Sequence, residues 1–166
     1  MKHLGFRSGR LKGFTIIEML IVVAVLAILA ALAAPSFRTL IANQRVTGTS
    51  QDLQVLLLYA RSEAVYGRTN SVLALNSSSG QFEVTATGSG VVRKLDLSPA
   101  VTVTPSDASV SGVKFNDIGA ATAIKDGSST YMLTITAPNA SRLQCLTVSR
   151  AGVVRSERKS SSEACT

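Results

Sequence analysis

Tryptophan is absent from this 166-residue sequence, histidine occurs once and cysteine twice. The histidine, His3, stands at the extreme N-terminus, far from Cys145 and Cys165. No histidine–cysteine metal cluster is therefore offered, and a chain that loses its first residues has no histidine left for a catalytic triad. Two S-x-x-K spacings, Ser111 to Lys114 and Ser156 to Lys159, lack the S-D-N and K-T-G companions that give that spacing a chemical meaning. An enzyme is not expected, and no cofactor or metal is implied. The segment after Cys145 has no aromatic residue, which leaves it without a platform for stacking on unpaired bases.

Charge is also sparse, at 16% of residues, with 10 acidic against 17 basic side chains for a net +7. Four of the basic residues, Lys2, Arg7, Arg10 and Lys12, precede Phe14, so a chain shorn of them keeps about +3. Global charge is then a modest argument for a nucleic-acid partner.

What is present is unevenly distributed. Met1–Gly13 is basic, contains three glycines and has no apolar core. From Phe14 to Ala34 the sequence FTIIEMLIVVAVLAILAALAA is apolar on every side, and as a helix it spans about 31 Å, enough to cross a bilayer. The basic residues before it favour a cytoplasmic N-terminus with the remainder sent outward. An ordinary secretory signal places a small residue after its hydrophobic region. Here Gly13 stands before it.

Glu18 is the one charge in that run, and a carboxylate inside an apolar span costs on the order of 3 kcal/mol on insertion scales, so it calls for a partner. Cutting after Gly13 would supply one: the new amino group of Phe14, in the same chain or in a neighbour. Pro35 withholds a backbone donor and bends or ends the helix; the bend is favoured because helical spacing resumes beyond it.

From Ser36 to Tyr66 the apolar residues Phe37, Leu40, Ile41, Leu53, Leu56, Leu57, Ala60 and Ala64 read as one face of a helix. Arg38, Asn43, Gln44, Arg45, Gln51, Asp52, Arg61 and Glu63 read as its solvated side. Downstream, Ser71–Leu75, Gln81–Thr85, Val91–Leu97, Ala100–Thr104, Val113–Phe115, Tyr131–Thr136 and Cys145–Val148 are expected as strands between turn-forming clusters. Cys145 and Cys165 read as a disulfide formed outside the cytoplasm, with two unpaired thiols as the alternative.

The segment Gly13–Glu18, G-F-T-I-I-E after a short basic leader, resembles the processing site of type IV pilins and pseudopilins. The resemblance implies cleavage between Gly13 and Phe14 by a prepilin peptidase, N-methylation of Phe14, a filament role for Glu18 and a helix-bending role for Pro35. The implied fold is α+β and ladle-like: a long N-terminal helix, its apolar half in membrane or filament, packed on a small antiparallel sheet. The expected divisions are a leader at 1–13, an embedded helix at 14–35 and a periplasmic head at 36–166.

Three further segments, Leu57–Val65, Val113–Gly119 and Leu146–Gly152, resemble in their order the group that holds FimT/FimU-type minor pilins and the minor pseudopilin GspH. That implies a low-abundance subunit, anchored in the inner membrane and then carried into a pilus, which helps initiate or cap the filament. Its partners would be other minor pilins and the major pilin. The alternatives are a pseudopilin of type II secretion and a DNA receptor acting through Arg150, Arg155, Arg158 and Lys159. FimT-like proteins are implied to bind DNA through G-R-x-R, whereas this chain reads Gly152-Val153-Val154-Arg155 and lacks the first arginine.

Overall fold

A computed structural model describes residues 13–76, 78–124 and 130–165. The readings placed on Lys2, His3, Arg7, Arg10 and Lys12 lie outside the described residues. The chain forms two compact units, Met1–Phe37 and Arg38–Thr166.

One helix, α1 (Ile16–Gly67), contributes to both units. Its start is fixed by a T-x-x-E sequence: the Glu18 amide donates to Thr15 Oγ1 at 3.2 Å, and the Thr15 amide donates to Glu18 Oε2 at 2.8 Å. This reciprocal capping box satisfies two donors that a helix start leaves without partners. Leucine and alanine, both strong helix formers, dominate the turns that follow. The apolar stretch within the first unit is exposed among the described residues and has a mean hydropathy of 3.0. Pro35 lies inside the helix.

In the second unit the same helix becomes striped. Ala42, Val46, Ser50, Leu53, Leu56, Leu57, Ala60 and Ala64 are buried, and at 100° per residue they fall in a band roughly 120° wide. Leu40 and Ile41 do not belong to this face, contrary to the sequence expectation. They lie roughly 140° and 120° around the helix from Leu53 and stay exposed, as does Phe37. The helix closes on a Schellman motif, with Thr69 N donating to Ala64 O at 3.1 Å and Arg68 N donating to Val65 O. Arg68, with φ of 48°, takes the left-handed position that glycine usually fills.

Two antiparallel sheets follow, where one was expected. The first has the order β3-β2-β1-β5-β6, built from β1 (Ser71–Asn76), β2 (Gln81–Ala86), β3 (Gly90–Asp96), β5 (Gly112–Phe115) and β6 (Ala121–Ala123). The second has the order β4-β7-β8-β9, from β4 (Thr102–Pro105), β7 (Thr130–Thr136), β8 (Arg142–Ser149) and β9 (Val154–Ser160). Alternation shows best in β7, where Tyr131, Leu133 and Ile135 point inward. The core joins both sheets to the helix through Leu53, Leu57, Leu73, Phe82, Phe115, Ile135 and Leu146.

β9 is absent from the strands expected from the sequence, which end at Cys145–Val148. Its burial pattern is mostly exposed on both faces, so no apolar alternation announces it. Pairing with β8 at every position from Val154 to Ser160 makes it a strand.

Candidate functional site

The first candidate is the start of α1. Phe14 is exposed, and a Cβ built on Gly13 meets nothing within 4 Å. Among the described residues nothing limits the size of residue 13. Glu18 is held at the helix N-terminus, where its carboxylate also accepts the Thr15 hydroxyl at 3.0 Å and meets the positive end of the helix dipole. Its carboxylate thus already bonds the amide one residue beyond the Phe14 nitrogen. A new amine at Phe14 would form beside a charge already in place.

The second is a node where the three separated segments meet. Arg61 Nε donates to the Gly119 carbonyl at 3.1 Å, and Nη2 reaches the Ala151 carbonyl at 3.4 Å. Two tight turns are thereby clamped to the helix. In one, Gly119 N donates to Asn116 O at 2.8 Å; in the other, Gly152 N donates to Ser149 O at 2.8 Å. Ala121 N donates to Arg150 O at 2.9 Å and ties the turns together. Both glycines have positive φ, and a Cβ on Gly152 would lie 2.0 Å from the Gly119 carbonyl oxygen. Arg61 was read as solvated from the sequence; it is a structural clamp. Asn43 is likewise engaged, accepting the Ser141 amide at 3.1 Å and donating to its hydroxyl at 3.1 Å.

The third is the C-terminal strand pair. Cys145 and Cys165 form a disulfide across Cα atoms 5.6 Å apart. Lys159 Nζ donates to the Ala164 carbonyl at 3.2 Å and Glu163 Oε2 accepts the Ser160 amide at 2.8 Å, so the last residues turn back on β9.

The four cations do not form one surface. Arg150 lies in the turn before β9. Along β9, Arg155 and Lys159 share a face with Glu157, while Arg158 is on the other face with Ser156. Ser156 accepts the hydroxyl hydrogen of the buried Ser50 of α1 at 3.1 Å and donates its own to Gln144 Oε1 at 3.2 Å, so Arg158 is on the helix side.

Against known proteins, a model of the prokaryotic N-terminal methylation motif matches residues 10–34, and a model of Type II transport protein GspH matches residues 49–152. A fimbrial protein of Pseudomonas aeruginosa is 33% identical over 49% of this chain and 64% of its own length; the chain thus spans under two thirds of that relative. The crystal structure of the type IV minor pilin FimU of P. aeruginosa superimposes with a TM-score of 0.56 at 24% identity, covering 69% of this chain and 89% of that one. The minor pseudopilin EpsH from the type 2 secretion system of Vibrio cholerae gives 0.53 at 11% identity, covering 72% and 99%. Both likenesses are of fold.

Proposed function

Because the chain belongs to the family of Type II transport protein GspH, we propose that it is a minor pilin, cut after Gly13, methylated at Phe14 and built into a type IV pilus. It helps to initiate or cap the filament and connects the major subunit to a tip complex. The observation that carries this reading is the apolar start of α1. Its side chains are uncovered while a carboxylate is fixed at its first turn. Such a segment needs lipid before assembly and neighbouring helices after it, and Glu18 needs an amine in either place.

The fold likeness to EpsH supports a pseudopilin of a secretion system as the second reading. The two differ in the machinery that receives the subunit, and Gly13, Phe14 and Glu18 serve both. A DNA receptor has less support, since the cations of β9 are divided between two faces and Glu157 sits among them.

The test is the mass of the mature N-terminus. Wild-type protein begins at Phe14 with a methyl group, and Gly13→Val stays uncut although no described residue crowds position 13. A different start, or normal cutting of the variant, removes the basis of the proposal.

A further inference from the structure

The four sheet edges among the described residues are unequal. β6 has three residues, and β4 has four and ends on Pro105. β3 is paired across a register break at Val84/Thr85 of β2. β9 alone is long and regular, pairing with β8 from Val154 to Ser160 without a break. An edge of that kind is a template for another strand unless something blunts it.

Its outward backbone groups follow from the antiparallel alternation. Ser149 N donates to Val153 O at 3.0 Å and Ser161 N donates to Ser141 O at 3.1 Å. Residues 155, 157 and 159 must then exchange bonds with β8, and the N–H and C=O groups of Val154, Ser156 and Arg158 point away from the sheet. Glu163 occupies the next outward amide, that of Ser160, and so closes the open stretch.

Beside this stretch runs a polar groove of about 330 Å³, with Gln51 and Gln54 of α1 on one wall and Gln144, Ser156 and Arg158 on the other. Gln144 is 6% exposed. Its side-chain oxygen accepts Ser156, while its amide nitrogen bonds to no described residue and is left to the groove. Arg158 has no carboxylate partner among the described residues. The groove therefore supplies hydrogen-bond donors and one positive charge to whatever enters it.

We propose that the β9 edge receives an extended acidic segment of a partner protein as a further strand, with a Glu or Asp side chain seated against Arg158 and the Gln144 amide. Main-chain bonds to Val154, Ser156 and Arg158 hold the segment, and the groove selects its side chain. Arg142, Arg155, Arg158 and Lys159 surround the edge. Against Glu157, the one acidic residue of β9, they leave an excess of positive charge that attracts a carboxylate-bearing strand. This goes beyond the assembly reading and does not rest on it, because α1 can enter a filament whether or not the edge takes a strand.

The experiment uses the full chain in detergent micelles, with an acetylated peptide of alternating Thr and Glu as the probe and amide hydrogen exchange as the readout. Near nine-tenths occupancy the peptide slows exchange over Val154–Arg158 by about tenfold, with β7 unchanged. The Lys-for-Glu peptide gives no protection. A peptide N-methylated on alternate residues keeps its charge and loses the effect. Arg158→Gln weakens binding while its own β7 exchange matches wild type. Equal protection by the N-methylated peptide would overturn strand addition. So would no protection by the acidic peptide, or protection by short duplex DNA that Arg158→Gln abolishes, which would assign the edge to nucleic acid.

Discussion

The two parts of α1 are one helix under two regimes of burial. In the first, Leu26 and its neighbours are apolar on all sides and exposed. In the second, Leu53, Leu57, Ala60 and Ala64 form a stripe that the chain's own sheets cover. A stripe is what a water-soluble head requires of a helix; an all-round apolar surface is what lipid or neighbouring helices require. The second part brings its own cover, and the first has none among the described residues. The polar features follow the same division: Glu18 is fixed at the exposed start, whereas Arg61 and Asn43 are spent on the head's own turns.

The comparison breaks most readily at one pair of leucines. Leu57→Ala in the head is expected to cost about 2–5 kcal/mol, the range for emptying a buried leucine site. Leu26→Ala, the same chemical change on the uncovered part, leaves head unfolding within about 0.5 kcal/mol of wild type. Denaturant unfolding of both variants in detergent checks this, and equal losses would show that the head and the apolar segment share a core.

A smaller effect belongs to the far end of the head. Cys165→Ala releases a loop closed over a sequence separation of 20, for which chain-entropy estimates give roughly 3 kcal/mol. The same unfolding assay, repeated under reduction, should show no further loss in the variant.

Much of this division is legible in the sequence because it is periodic. The Phe14–Ala34 run, the T-x-x-E start and the alternation of β1, β2 and β7 declare themselves locally. β9 does not, because Arg155, Glu157, Arg158 and Lys159 are exposed whichever face they occupy, and only pairing with β8 makes them a strand. Nor could Arg61 and Asn43 be told from solvated residues. Their acceptors lie 58 and 98 residues away, and polar side chains carry no periodic mark of a distant partner. The exposure of Leu40 and Ile41 was available from helical angles, since both fall outside the band centred on Leu53.

The smallest expected change is a gain. Arg68 holds the left-handed position at the end of α1, where a side chain costs on the order of 1 kcal/mol relative to glycine. Arg68→Gly should therefore stabilise the head by about 0.5–1 kcal/mol, read as a higher unfolding midpoint, while leaving the embedded segment as it was. A loss instead would mean that the Arg68 side chain makes contacts worth more than the strain.

Glu18→Val tests the account at its centre, because it touches only the part of α1 that has no cover among the described residues. The measurement is the share of processed subunit found in sheared filaments against the share left in the membrane, with head unfolding as the control. The expected result is wild-type membrane level and wild-type head stability with the subunit missing from filaments, since the amine at Phe14 then has no carboxylate to meet. Normal incorporation of Glu18→Val would contradict the charge pairing and, with it, the claim that the first part of this helix is completed by its neighbours through Glu18.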